Sequence, residues 1–295
     1  MFRQRSIRSA VVLGGLASSL MWAQTKPTTP VEPSPNLAGI AHIAVRVHNL
    51  DASVAFYKKL GFVEAFALSR NGAVYEAFFK INDRQYMELY PVDAKNPQTG
   101  FLHVCFEGAD LQAAHDFYVS EGLTPNAVRK AGAGNLLFTM PGPATPSGPQ
   151  NLEYTQYMPG SMHSKDFGQH LGADRIGTRL LEVAIAAEDP QAAEGFYAHE
   201  LRFTPVTADG TTFALPAVAG SAAATERIRI EPVQPLGFRS WVVMEADPKH
   251  AARELKRRGI TFSKTRVEGR PALELHDPDG NALLLAVAPS AGHND

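Results

Sequence analysis

The sequence predicts an α+β chain of four successive modules, each a strand, a helix and three further strands (βαβββ), grouped in two pairs. Three observations carry this expectation. An aromatic pair followed by a glycine turn recurs: Phe56-Tyr57 before Leu60-Gly61-Phe62, Phe117-Tyr118 before Glu121-Gly122-Leu123, and Phe196-Tyr197 before Leu201-Arg202-Phe203. A weaker fourth copy runs from Glu254-Leu255 to Arg258-Gly259-Ile260. The offsets also repeat, 61 residues from Phe56 to Phe117 and from Gly61 to Gly122, and 58 from Asp189-Pro190 to Asp247-Pro248, and equal offsets at several positions mark duplication. Finally, segment 159–178 (PGSMHSKDFGQHLGADRIGT) belongs to no copy and divides the four modules into two pairs.

The chain has 295 residues, 44% of them hydrophobic and 20% charged, so it can bury a core. A net charge of -2 gives no basic footprint for nucleic acid, and the composition excludes disordered, collagen-like and multi-span membrane classes. One cysteine forms no intrachain disulfide and excludes a four-thiolate zinc cluster, so any metal must rest on histidine and carboxylate.

Read in order, residues 1–23 carry Arg3, Arg5 and Arg8, then an uncharged stretch from Ser9 to Ala23. That stretch is shorter than the roughly 18–20 apolar residues that span a bilayer, and reads as a signal peptide for export to the periplasm or medium. Met21 makes the cleavage site imperfect, so an uncleaved anchor is the alternative. A proline-rich linker (24–37) follows, then a first domain over 38–158, the connector 159–178, a second domain over 179–289 and a short tail.

Within the modules, the leading strands are expected at Ile40 to Val47, Phe101 to Phe106, Leu180 to Ala186 and Arg239 to Met244. Helices follow, announced by Asp51, Asp110, Asp189 and Asp247, with proline at the first helical position in the last two. Gly61, Gly122 and Gly259 stand where a helix end wants a left-handed residue. Later strands include Val74 to Ile81, Arg84 to Tyr90, Leu136 to Met140 and Asn151 to Tyr157.

The opening GIAHIAVRVHNLDASVAFYKKLGF and the closing HDPDGNALLLAV resemble modules of the vicinal oxygen chelate superfamily, which includes glyoxalase I, extradiol dioxygenases, epimerases and bleomycin-resistance proteins. The resemblance implies two glyoxalase-like domains, each pairing two modules into a curved sheet whose inner face forms a cup. It marks the fold strongly and any one reaction weakly, because one fold hosts many chemistries.

Strand parity separates the two faces. Ile43, Val45 and Val47 oppose His42, Ala44 and Arg46; Met87 and Leu89 oppose Tyr86, Glu88 and Tyr90; Leu102, Val104 and Phe106 oppose His103, Cys105 and Glu107; Leu152 and Tyr154 oppose Glu153, Thr155 and Tyr157. His42 and His103 occupy equivalent places in two copies, each followed by a strand carboxylate, Glu88 or Glu153. These four match the superfamily's metal-binding pattern, which implies one divalent ion. Imidazole and carboxylate suit Zn, Ni, Co, Mn or Fe alike.

Such an ion chelating two neighbouring oxygens of a small-molecule substrate acidifies the adjacent carbon, with Glu88 or Glu153 as proton carrier, the isomerase or lyase chemistry of the glyoxalase branch. The fourth ligand candidate, Glu88, favours that reading. With His42, His103 and Glu153 alone, the set is the two-histidine, one-carboxylate face of an Fe(II) ring-cleaving (extradiol-type) dioxygenase. A small-molecule-binding or resistance protein without turnover is the third reading. Arg46 could hold a substrate carboxylate or phosphate, or pair with Glu107; Tyr90 and Tyr157 could wall the substrate pocket; Cys105 reads as a buried filler.

The second pair is expected to hold no metal. Glu182 stands for His42, Ser240 for His103, Leu284 or Leu283 for Glu153, and Arg229 or Glu231 for Glu88, Arg229 being the choice when Pro91-Val92 is aligned with Pro232-Val233. That alignment predicts an ion pair between Glu182 and Arg229. The connector, with His163, Ser164, Lys165, Asp166 and His170, reads most simply as a solvated linker; the alternative is a lid whose His163 or His170 carries a proton.

Overall fold

The computed structural model describes residues 34–146, 148–217, 225–233 and 241–289. The expected signal peptide, most of the linker, the tail and the proposed strand start at Arg239 and Ser240 lie outside the described residues. Leu37, assigned to the linker, is fully buried and opens the first strand.

The first module runs β1 (Leu37–Val47), α1 (Leu50–Lys59), β2 (Val63–Arg70), β3 (Ala73–Lys80) and β4 (Tyr86–Pro91). The second runs β5 (Gly100–Gly108), α2 (Leu111–Ser120), β6 (Arg129–Lys130), β7 (Leu136–Thr145) and β8 (Gly148–Gln156). A short helix α3 (Met162–Asp166) lies in the connector. The third module has β9 (Leu180–Ala187), α4 (Pro190–Gly195) with a π-helical turn over Phe196–Glu200, β10 (Thr204–Pro205), β11 (Thr212–Ala214) and β12 (Arg227–Pro232). The fourth has β13 (Trp241–Glu245), α5 (Pro248–Arg257), β14 (Ser263–Val267), β15 (Arg270–His276) and β16 (Ala282–Ala286).

These strands form two eight-stranded mixed sheets with the same order, β2-β3-β4-β1-β5-β8-β7-β6 and β10-β11-β12-β9-β13-β16-β15-β14. In each, the two leading strands pair antiparallel at the centre and each pairs parallel with the last strand of its own module. Two paired modules therefore make one sheet.

The helices begin as the caps dictate. Asp110, Asp189 and Asp247 accept backbone N–H groups of Ala113, Ala192 and Lys249, while Asn49, not Asp51, caps α1 by accepting from Ala52. Asp51 lies in the first turn, where a negative charge favours the helix end. Arg202 takes the turn position that Gly61 holds in the first module, with φ of 62°, directly after the π-helical turn. The helix-facing side chains of both sheets, from Ile43 and Val104 to Val183 and Leu285, belong to one continuous core. Polar clasps join the halves: Glu226 accepts from the Ile40 N–H at 2.5 Å and from Gln85 Nε2 at 2.9 Å, and Asp277 accepts from the Tyr57 hydroxyl at 3.2 Å.

Candidate metal centre

Alternation along β1 sends Ile43, Val45 and Val47 into the core and leaves His42 on the opposite face. Register then sets the neighbours. Ala44 sits opposite His103 on β5 and Glu88 on β4, and Cys105 sits opposite His42 on β5's other side from Glu153 on β8. Nε2 of His42 lies 3.1 Å from Nε2 of His103 and 3.4 Å from Glu153 Oε1, and His103 Nε2 lies 3.9 Å from Glu153 Oε2. Donor atoms of these three residues all fall within 4.8 Å of one another.

This donor set fits a divalent ion. Ligand atoms about 2.1 Å from a common ion stand about 3.0–3.5 Å apart, so two imidazoles and a carboxylate need move little. The charge state fits as well. Burial pushes the His103 imidazole down to about 4, leaving it neutral. Burial would raise Glu153, but the facing His103 and His42 overcome it and hold the carboxyl at about 2, leaving it ionised. Neutral nitrogen and charged oxygen are what a metal requires.

Glu88 is placed differently. Its Oε1 is 3.1 Å from Nδ1 of His42, on the far side of the ring, and out of line for a hydrogen bond, since Nδ1 has no such partner. Its Oε2 accepts from the Tyr90 hydroxyl at 2.9 Å, which also lies 2.6 Å from Glu76 Oε1. Burial, with Glu76 and Glu153 nearby, raises Glu88 well above the usual carboxylate range. Burial also raises Glu76, against the hydrogen bond from Tyr90. Thus three of the four expected ligands converge, while Glu88 lies behind the His42 ring on its Nδ1 side and is hydrogen-bonded by Tyr90.

The other expected contacts are distributed around this group. The Tyr90 hydroxyl is engaged by Glu76 and Glu88, and its ring lies 6.4 Å from that of His103. Tyr157 is stacked on His163, ring centroids 4.3 Å apart. Arg46 does not pair with Glu107, which is taken by Arg84 at 2.6 Å. Arg46 instead lines a cavity of about 510 Å³ together with Lys95, Phe101, Asn151 and Ile185, and none of the four histidines and carboxylates borders it. Cys105 is fully buried, and burial together with Glu153 raises its thiol, which makes it a filler and not a nucleophile.

The sequence reading missed Glu76 and misjudged the connector. Glu76 shares the parity of Phe78 and Lys80 on β3, so the signal was present. The connector is no solvated linker over α3: His163 and Asp166 are buried, and His163 packs against Phe66, Phe78, Tyr86 and Tyr157 on the cup face. His170 is directed at Asp166.

Register in the second sheet identifies what replaced the ligands. Ala184 faces Arg229 and Trp241 as Ala44 faces Glu88 and His103, so Arg229 stands for Glu88 and Trp241, not Ser240, for His103. Trp241 pairs with Ala282 as His103 pairs with Asn151, which puts Leu284 in the place of Glu153. Arg229 Nε donates to Glu182 Oε1 at 2.8 Å, and its Nη2 to Glu268 at 3.0 Å. The expected ion pair is formed, and no group of three potential ligands occurs there among the described residues.

Residues 39–151 match the Glyoxalase/Bleomycin resistance protein/Dioxygenase superfamily. No curated protein sequence matches the chain. Among solved structures, it is similar to the 2,3-dioxygenase LapB from Pseudomonas sp. KL28, with TM-score 0.62 and 15% identity over 88% of this chain and 95% of that one. It is also similar to the Mn(II)-bound glyoxalase from Novosphingobium aromaticivorans, with TM-score 0.61 and 16% identity over 85% and 82%. Homoprotocatechuate 2,3-dioxygenase from Arthrobacter globiformis gives TM-score 0.61 and 17% identity over 89% and 84%. At these identities the likeness establishes the fold.

Proposed function

We propose, from the match of residues 39–151 to the glyoxalase/bleomycin resistance protein/dioxygenase superfamily, that the chain is a divalent-metal enzyme acting on a small substrate through two neighbouring oxygens. The convergence of His42, His103 and Glu153 carries this reading. An ion held there polarises and orients a substrate chelated through adjacent oxygens, and iron in a two-histidine, one-carboxylate set supports chemistry with dioxygen.

The chain's own residues supply the rest. Glu88 lies beside Nδ1 of His42, so Nε2 is the ring nitrogen that faces Glu153 and His103. The aromatic wall of Phe66, Phe78, Tyr86 and Tyr157 excludes water from one side. Because three donors converge rather than four, ring cleavage of a catechol-like substrate with Fe(II) is the reaction this geometry supports best. Proton transfer of the isomerase or lyase kind is the second reading, favoured by the Glu76–Tyr90–Glu88 cluster, which can hold a proton beside His42. Export is proposed with it, supported by the arginine-led apolar N-terminus alone, and is tested by N-terminal sequencing of the protein recovered outside the cytoplasm.

Metal analysis of the full chain and of His42→Ala and Glu153→Ala tests the centre; one equivalent that survives both substitutions overturns it. Oxygen uptake by the Fe(II) form with catechol supports ring cleavage. Exchange of solvent deuterium into a hydroxyketone, without oxygen uptake, supports the second reading.

A further inference from the structure

The cavity of about 510 Å³ that Arg46 borders lies where the two halves of the described unit meet. The ends of β1 and β5, the segment before β5 and the β7–β8 turn enclose it from the first half. Ile185 and Ala186 at the end of β9, with Asn281 before β16, close it from the second. Its size falls within the roughly 300–1,000 Å³ typical of small-molecule sites. Bonds between the halves flank the lining residues: the Glu188 N–H donates to the Ala144 carbonyl at 3.0 Å, and the His48 N–H to the Asp279 carboxylate at 3.1 Å.

The cavity is charged with one sign. Arg46 and Lys95 border it, no aspartate or glutamate does, and neither cationic side chain has a hydrogen bond or ion pair among the described residues. Asp93, the carboxylate that feels the Arg46 charge, is exposed, and its oxygens accept from the backbone N–H groups of Lys95 and Asn96 and from the Asn96 side chain at 2.7–3.2 Å. Those bonds hold the loop that carries Lys95. The module does not require an arginine here: Ala184 stands for Ala44, so Ala186 stands for Arg46, and both border this cavity. A half-buried guanidinium without a carboxylate partner favours a bound oxyanion, which its planar fork can grip through two bonds. Gln98, Thr99 and Asn151 also border the cavity, and amides and hydroxyls of this kind both donate to and accept from hydroxyl groups.

We propose that this cavity is a second small-molecule site, which binds a hydroxyl-bearing organic oxyanion between the two halves, its carboxylate or phosphate on Arg46 and Lys95 and its hydroxyls on Gln98, Thr99 and Asn151. None of His42, Glu88, His103 and Glu153 borders the cavity, so the site works without the metal and stands apart from the metal-enzyme reading. Arg46 supplies a fixed two-pronged contact, and Lys95 a mobile point charge. Ile185 and Ala186 give the ligand an apolar wall from the second half.

The test is isothermal titration calorimetry of the full chain, stripped of metal with a chelator, against glucose 6-phosphate, gluconate and glucose. The first two carry a phosphate or a carboxylate on a hydroxyl-bearing body, so the tighter binder distinguishes the two oxyanions, and glucose lacks the charge. At least one anion is expected to bind with a Kd of about 1 mM or less, and glucose about tenfold more weakly or not at all. Arg46→Gln should raise the Kd by about tenfold or more with an unchanged Tm, since it removes no bond within the chain, and Arg46→Lys should recover part of the loss. Lys95→Gln, on an exposed loop, should weaken binding severalfold, and so should raising the salt from about 0.05 to about 0.5 M. Absence of heat with both anions at about 10 mM, equal affinity for glucose, or wild-type affinity in Arg46→Gln and Lys95→Gln overturns the inference. Anion binding that appears only after Co(II) is restored also overturns it, and makes Arg46 part of the metal centre's own substrate site.

Discussion

Gly61 and Gly122 hold the same place in the first two modules, with φ of +88° and +86°, yet their surroundings differ completely. A Cβ on Gly122 would meet nothing within 4 Å, whereas one on Gly61 would stand 2.3 Å from the Asp174 carbonyl oxygen and 2.8 Å from the Arg175 nitrogen. The connector crosses the α1–β2 turn here, and a Cβ on Gly172 would in turn stand 2.0 Å from the Gly61 oxygen. Gly122→Ala therefore costs only the left-handed conformation, about 1 kcal/mol. Gly61→Ala costs the same and must also lift the connector backbone. That movement breaks the Ile176 N–H bond to the Leu60 carbonyl, 3.0 Å, and the Arg258 bond to the Asp174 carbonyl, 2.6 Å. At about 1 kcal/mol for the first and about 1.5–3 for the charge-assisted second, the total is on the order of 3–5 kcal/mol. Urea unfolding of both variants measures the difference, read from midpoints at constant m. Equal losses at the two glycines would refute the close crossing.

Three further outcomes follow from groups buried with their partners. Lys80→Met leaves the Asp166 carboxylate buried with Tyr86 and His170 alone, and is expected to cost about 3–5 kcal/mol, much of it recovered in Lys80→Met/Asp166→Leu; an additive double variant in urea unfolding would contradict this. Glu226, pushed up to about 7 by burial, contributes stability that is fully present below about pH 4.5 and lost as pH rises through about 7, on the order of 3 kcal/mol. Stability curves of the wild type and Glu226→Gln that run parallel between pH 4.5 and 8 would rule that out. Arg229→Met strands Glu182, 3 % exposed, in the second cup and should destabilise the chain by about 3 kcal/mol, while Glu182→Gln/Arg229→Met costs less; calorimetry that ranks them in reverse would remove the ion pair as the cup's organising contact.

The repeat offsets and strand parity made most of the fold legible, because duplication fixes where each strand lies and alternation fixes which face each residue takes. His42, His103 and Glu153 share one parity on three adjacent strands, and that sufficed to bring them together. Parity does not fix rotamers, so it could not show that Glu88 turns toward Tyr90 and Nδ1 of His42. A slip of one residue separated Ser240 from Trp241, since β13 lacks the histidine that anchored the comparison in β5, and a one-residue shift exchanges the faces. The connector was illegible for another reason: its five-residue helix carries no periodic signal, and its position depends on Lys80 and Asp83, some eighty residues earlier in the chain.

One cup keeps a donor set and the other holds Arg229 between Glu182 and Glu268, yet the helix faces of both sheets share a single core. The proposed metal contacts only the first sheet, but Ile40, Gln85 and Tyr57 of that half are bonded to Glu226 and Asp277 of the other. Binding energy delivered to the first cup must therefore be shared by the whole described unit. A metal at about 1,000 times its Kd stabilises the native state by about 4 kcal/mol. With a few degrees of Tm per kcal/mol in a chain of this size, removing it with a chelator should lower one cooperative transition by roughly 8–16 °C. The assay is scanning calorimetry of the metal-loaded and chelated protein. Two transitions, of which only one moves with the metal, would show that the halves unfold independently and that the clasp at Glu226 transmits no stability between them.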